Sequence, residues 1–430
     1  MKSLKALFVV VILATLIASC APAATPAPVE PAAPVATEAP AAPVATEAPA
    51  APEAPAVPEV CGTDKFGCAV FAPGDVVKIG MGAPMTGGNA SYGIDISQGG
   101  TVAIQDAKDV QGWKFELLAE DDGGNAEGGA AVANKFVADQ AVVAVAGHIF
   151  SGATSAAMPI YEAAGIPMLS PSATLPALTT KGSLVFNRIA FTDLNQGNAA
   201  ADYLFNTLNV KNLAVLHDGS DYGKGLADIV AAQFAKDGGT ITVEQAITPG
   251  ETDFSAVLSV VASKTPDAVY FGGYTAEGAV LANQMKSTGL ENAIFFGDDG
   301  TYGADFLTRT GANGEGAYAT IAPASPDSTA KTTFNEAYLA QFGKEAGSLS
   351  PYTWAGYDSV AALAAKVKEV AVVGGDGNLY VPRETLMTAV RTLKEYVGLS
   401  GTFTCQSDGE CNLDKPIFVV VKDGAWVPAE

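Results

Sequence analysis

The chain has 430 residues, 24 Lys or Arg against 46 Asp or Glu, and its formal charge of −22 excludes a nucleic-acid partner, since no basic stripe could neutralise phosphates. Apolar residues make up 48% of it, enough for sizeable cores, yet beyond the leader no charge-free apolar run reaches the length of a membrane span. Two histidines in all are thin material for acid–base catalysis, and no nucleophile, base and orienting group fall at motif spacing.

The chain opens with Lys2 and Lys5, followed by an uncharged apolar run from Ala6 to Ile17. A basic start, a short apolar stretch and small residues after it make a secretory signal over residues 1–19. The run ends Leu16-Ile17-Ala18-Ser19-Cys20, which resembles the lipobox of bacterial lipoproteins, where cleavage leaves the cysteine first and its sulfur is acylated. An ordinary cleavage site beside a chance cysteine is the plainer alternative. The small residues before Cys20 favour lipidation, and hence a chain tethered outside the cell membrane, or in a periplasm if a second membrane exists.

Residues 20–60 are the lipidated cysteine and a spacer of Ala, Pro, Val, Thr and Glu, with APVATEAPA repeated in tandem from Ala33 and from Ala42. Frequent proline removes amide donors and fixes φ, so no core forms and the segment extends to at most ~120 Å. Four further cysteines fall as close pairs. Export meets an oxidising environment and short separations favour local closure, so Cys61–Cys68 and Cys405–Cys411 are expected disulfides. No histidine lies near either pair, and no metal site or cofactor is expected.

From Val76 short β-branched runs alternate with helical patterns. Val77–Met81, Phe115–Ala119 and Ala141–Ala146 read as buried strands and Ala126–Ala138 as a helix. The alternation resumes at Leu213–Leu216, Ile241–Glu244, Ala268–Phe271 and Ala293–Phe296. There Phe254, Val257, Leu258 and Val261 form one apolar helix face, with Asp253 placed to cap it. Repeated βα units imply α/β architecture with parallel sheets covered on both sides, in two doubly wound domains. Ligands of such sheets lie beyond the carboxyl ends of the strands, where this chain has hydroxyls, tyrosines, glycines and the acidic pair Asp298-Asp299. The Gly80-x-Gly82 and Gly219–Gly225 stretches lack the spacing of nucleotide loops, and Asp121–Asn125 departs from a calcium loop and reads as a strand end and turn. His148 and His217 read as packing or hydrogen-bonding residues rather than ligands or bases.

Taken in order, the strand ends resemble the leucine/isoleucine/valine-binding family, the extracytoplasmic receptors of ABC importers on the type I periplasmic-binding fold. The resemblance runs from about Val77 to Val427 and rests on Ser91-Tyr92-Gly93, Gly147-His148, Pro171-x-Ala173-Thr174, the run from His217 to Ala227 and Tyr270-x-Gly272-Gly273-Tyr274. It implies two lobes joined by a three-strand hinge, with the ligand cleft between them. The first lobe would take 61–192 plus 323–414 and the second 193–322 plus 415–430, with crossings near Thr192, Ile321 and Lys415. Ser151 with the amides of Gly152 and Thr174 would receive a carboxylate, as a hydroxyl and free N–H groups at a helix start make an anion site. The Ser172 carbonyl and the Thr174 hydroxyl, with Ala173 between them, would complete that half. Tyr222 and Tyr274 would close over the ligand, Asp299 would pair with an ammonium group, and Tyr92 and Phe150 would wall the side-chain pocket.

Two departures stand out. The family's ammonium partner is a glutamate before glycine, whereas Asp299 before Gly300 is one methylene shorter, and Asp298 is its competitor. The family's disulfide beside the carboxylate site has no counterpart, with Gly124 and Phe150 at those places. Singly, Tyr274 would pass for a core aromatic and Asp299 for a helix cap; their joint placement at strand ends favours a site. The expected partners are an amino acid or analogue and permease subunits, the membrane being reached through the lipid alone and the chain being a monomer. A ligand sensor, or a receptor for short amides, urea or small carboxylates, is the alternative.

Overall fold

The computed structural model describes residues 57–323 and 327–429. The leader at 1–19, Cys20 and the spacer up to residue 56 lie outside the described residues.

Alternating βα units build two sheets. One runs, in spatial order, Asp109–Val110, Trp113–Asp121, Val76–Ala83, Val142–Val145, Met168–Ser170 and Phe186–Arg188. All its pairings are parallel except that of the short edge strand Asp109–Val110. The other runs Ala425–Pro428, Ile417–Lys422, Tyr318–Ile321, Ile294–Phe296, Ala268–Gly272, Asn212–His217 and Thr240–Ala246. Its two C-terminal strands are antiparallel additions to a parallel set.

The doubly wound character is visible in single strands. In Ala268–Gly272, Val269 and Phe271 pack with Leu258, Val261 and Leu281 on one face, whereas Ala268 and Tyr270 pack with Leu226, Val230 and Phe234 on the other. Side chains alternate with a period of two, so a strand buried on both faces must be apolar at every position. Near the edges this fails. In Trp113–Asp121, expected to be buried at Phe115–Ala119, Glu116 and Ala119 are exposed, and in Thr240–Ala246 Glu244 is exposed. On its outer side the first strand is flanked only by a two-residue strand and the second by none.

Local chemistry sets the helix starts. Asn125 caps Ala126–Ala138 by accepting from the Gly128 amide, and the Ser220 hydroxyl caps Asp221–Lys236 through Gly223 at 2.9 Å. Phe254 is the residue before Ser255–Ala262, and Asp253 accepts from the Ser255 amide at 2.9 Å, one position earlier than a cap. Both expected disulfides, Cys61–Cys68 and Cys405–Cys411, are formed. His148 is buried between Asp122 at 2.7 Å and the Tyr161 hydroxyl at 2.9 Å, a hydrogen-bonded core residue.

The chain crosses between the sheets three times. It leaves Phe186–Arg188 for the helix Asp193–Asp202, which packs on the second sheet's helix Asp221–Lys236. It returns after Tyr318–Ile321 to Thr353–Val370, which packs on Ala90–Ala107 of the first lobe. It crosses again between Cys411 and Ile417. Type I paired lobes with a three-strand hinge follow, and the carboxyl ends of both parallel sets face one cleft.

Candidate functional site

The cleft is built from strand ends and the helix starts behind them. Its lining is Tyr92, Ile149, Phe150, Ser151 and Ser172 from the first lobe, Tyr222, Tyr274, Asp299 and Gly300 from the second, and Tyr352. Tyr92 lies in the first turn of Ala90–Ala107, Ser151 begins Ser151–Ala164, Tyr222 is in the first turn of Asp221–Lys236, and Tyr274 precedes Thr275–Met285. Tyr352 is the residue before the helix Thr353–Val370.

The lobes are shut. The Tyr92 hydroxyl donates to the Asp299 carbonyl and, at 2.9 Å, to the Tyr302 carbonyl. The Ala276 amide donates to Asn89 at 3.3 Å and the Ala304 amide to the Ser348 carbonyl at 2.8 Å. Phe150 and Tyr274 stack across the cleft with centroids 4.0 Å apart and planes 10° apart. The enclosed space is about 10 Å³, room for about one water. An adjoining cavity of about 190 Å³ shares Tyr352 as a wall and is bounded by the crossings at Ile189–Ala190, Ile321–Pro323 and Asn412–Asp414.

Asp299 is the most heavily bonded group here. One carboxylate oxygen accepts from Gln196 Nε2 and from the Tyr222 hydroxyl, both at 2.6 Å, and the other from the Tyr352 hydroxyl at 2.8 Å. Burial pushes its carboxyl upward and these three donors hold it back. Asp298 points elsewhere: one oxygen accepts from the Gly273 amide at 2.8 Å and the other has no partner. Burial and then the neighbouring Asp299 charge drive it well above the carboxylate range. Asp193, just past the first crossing, is wholly buried and burial, more than the Asp299 charge, raises it to about 7. The nearby Thr174 hydroxyl and Arg188 pull that value down, although Thr174 Oγ1 stays outside hydrogen-bond geometry and both Asp193 oxygens are unpartnered.

Seven of the ten residues expected at the site line the cleft: Ser151, Ser172, Tyr222, Tyr274, Asp299, Tyr92 and Phe150. Gly152, Ala173 and Thr174 do not line it in the shut state. Ala173 and Thr174 are buried behind it, and the Ala173 carbonyl accepts from Arg188 at 3.1 Å. Ser151 Oγ accepts from the Leu175 amide at 3.3 Å and Ser172 Oγ donates to the Ile149 carbonyl at 2.7 Å. A Cβ at Gly124 would lie 2.7 Å from the Phe150 ring, so these positions are neighbours. Reading the sequence missed Asp193, Gln196 and Tyr352. The first two follow Thr192 at a crossing and Tyr352 sits in a loop, so none ends a strand, and only the fold brings them to Asp299.

A family profile described as periplasmic binding protein matches residues 76–425. An amino acid binding protein of Pseudomonas aeruginosa is 37% identical over 248 residues, 57% of this chain and 66% of that protein, just under two thirds of its length. A Leu/Ile/Val-binding protein homolog of Brucella abortus is 34% identical over 291 residues, 67% of this chain and 78% of that protein. Among solved structures, the branched-chain amino acid transporter substrate-binding protein of Streptococcus pneumoniae, in complex with isoleucine, has a TM-score of 0.72 and 26% identity, covering 82% of this chain and 98% of that one.

Proposed function

Because the chain belongs to the periplasmic binding protein family, we propose that it is an exported receptor that captures an amino acid, branched-chain or related, by closing two lobes and delivers it to an ABC importer permease. It is a binding protein and not an enzyme. The observation that carries the reading is the pairing of opposite chemistries across one cleft. The Ser151 hydroxyl, at the start of the helix Ser151–Ala164, and Ser172 line the first-lobe side of the cleft that the carboxylate of Asp299 lines from the second, a complement to a zwitterion.

In this reading the first lobe, 61–192 with 323–414, binds the α-carboxylate through Ser151, Gly152 and the Ser172–Thr174 loop. The second, 193–322 with 415–430, brings Asp299 to the ammonium group and Tyr222 and Tyr274 over the ligand. Tyr92 and Phe150 contact the side chain. Since the shut cleft encloses about 10 Å³, entry requires opening and the Phe150–Tyr274 stack must part. Ligand then shifts an open–closed equilibrium. Cys20 carries the lipid, and the spacer is a leash that raises the receptor's effective concentration at its permease.

Asp299, one methylene shorter than the family's glutamate, favours one second reading, a different amine or amide ligand such as a short amide or urea. Calorimetry and thermal shift with leucine, isoleucine, valine, other amino acids, short amides, urea and small carboxylates test both. Saturable binding of a branched-chain amino acid supports the first; binding confined to amides or urea replaces it with the second; no concentration-dependent rise in melting temperature with any of them sinks the reading.

A further inference from the structure

Arg188, the last residue of the strand Phe186–Arg188, is fully buried directly behind the Ser172–Leu175 loop. Its Nη1 donates to the Ala173 carbonyl at 3.1 Å and to the Leu175 carbonyl at 2.8 Å, the two carbonyls that flank Thr174. Leu175 in turn donates its amide to Ser151 Oγ at 3.3 Å. One guanidinium thus holds both sides of the loop on which the carboxylate subsite depends.

The guanidinium is itself held from the far side. Its Nε donates to Glu410 Oε2 at 2.9 Å and its Nη2 to Glu410 Oε1, a two-pronged pair. Glu410 Oε1 also accepts from the Thr179 hydroxyl at 2.6 Å, and Glu410 is only 8% exposed. A buried ion pair stabilises only when its geometry is held, because desolvation otherwise cancels the attraction. Glu410 belongs to no helix or long strand that would hold it. Instead it lies within the segment closed by Cys405–Cys411, a separation of 6 residues. That segment docks on the strand end: the Arg188 amide donates to the Gly409 carbonyl at 3.0 Å and the Cys411 amide to the Arg188 carbonyl at 3.0 Å. Arg391 adds a bond to the Ser407 carbonyl at 2.8 Å.

We propose that Glu410 and the Cys405–Cys411 disulfide are positioning elements for the ligand-carboxylate subsite, acting through Arg188 on the Ala173–Leu175 loop, so that ligand affinity depends on the oxidation state of this disulfide. The proposal rests on the reading that Ser151 and Thr174 hold a carboxylate. Reduction by a dithiol or phosphine adds two electrons and two protons, gives two thiols and opens the segment. Glu410 then loses its constraint, Arg188 loses a fixed counter-charge, and the two carbonyls lose a fixed donor.

The test uses leucine and 3-methylbutylamine, which is leucine without its carboxylate, titrated calorimetrically into the mature chain and its variants. Cys405→Ser/Cys411→Ser and Glu410→Gln should each weaken leucine by about tenfold or more, with the weaker amine affinity unchanged. Glu410→Asp should recover part of the loss. Cys61→Ser/Cys68→Ser, which removes the other disulfide, should bind leucine as the parent does. Hydrogen exchange at the 173–175 amides provides an arm without ligand and should accelerate in Cys405→Ser/Cys411→Ser but not in Cys61→Ser/Cys68→Ser. Parental exchange at 173–175 in folded Cys405→Ser/Cys411→Ser overturns the proposal, as does parental leucine affinity in that variant. Equal losses for leucine and the amine also overturn it, since they indicate general loosening. If the parent binds neither compound, the reading of the cleft fails while the exchange arm still decides the coupling.

Discussion

Tyr352, seated against the first lobe's core, donates a 2.8 Å hydrogen bond to the carboxylate of Asp299 at the rim of the second sheet. The group expected to meet a ligand's ammonium is therefore satisfied in part by the opposite lobe when the cleft is shut. Closure and ligand capture draw on the same carboxylate. Tyr352→Phe removes this donor, and a hydrogen bond to a charged group contributes about 1.5–3 kcal/mol. The ligand-free variant should populate the open form more than the parent. Small-angle scattering should report a larger radius of gyration without ligand, restored on saturation. An unchanged radius would argue that the bond does not hold the lobes.

Asp299→Ala separates the ammonium role from a structural one. Binding of leucine should fall far more than binding of 4-methylpentanoate, its des-amino analogue, since removing one partner of a buried charge pair costs about 3–5 kcal/mol. Calorimetric losses of equal size for both compounds would remove Asp299 from that role.

The unpartnered Asp193 makes a pH prediction. Its folded value of about 7 stands above the ordinary 3.8, raised by burial and by Asp299 and lowered by Thr174 and Arg188. The folded state therefore holds a proton that the unfolded chain has lost, and stability present below pH 3.8 is lost as pH rises to about 7. The full loss is of the order of 4 kcal/mol at one pKa unit per 1.36 kcal/mol. Asp193→Asn lacks this loss, so without ligand its melting temperature relative to the parent should rise between pH 4 and pH 8. A constant difference across that range would mean that Asp193 titrates normally.

The stack of Phe150 on Tyr274 fills the shut cleft where, in the proposed reading, a ligand side chain would enter. Such a pair contributes about 0.5–1.5 kcal/mol beyond the area it buries. Phe150→Ala should weaken leucine and raise the relative affinity for phenylalanine. An unaltered preference in competitive titration would place the ligand side chain elsewhere, with the cavity beyond Tyr352 the next candidate.

Cys20 lies outside the described residues, and its proposed lipid is tested directly. Metabolic labelling with a tagged fatty acid should mark the parent chain and not Cys20→Ala, which should leave the membrane fraction. Equal labelling of both would return Cys20 to an ordinary residue beside a cleavage site.

The sequence by itself determined the fold class and both disulfides through local signals, a period of two or of 3.6 and a short cysteine separation, while seven of the residues that line the cleft were reached through the resemblance that the strand-end motifs carry. Tertiary structure alone decided which acceptors remain unpaired and which are already satisfied. Asp299 and Asp298 are adjacent in sequence, yet one meets Gln196, Tyr222 and Tyr352 and the other leaves an oxygen bare, because three segments far apart in the chain converge on the first. The same holds for Glu410, whose partner Arg188 is 222 residues away. Burial and long-range pairing depend on how distant segments fold together within and between the lobes, which no residue's immediate neighbours encode.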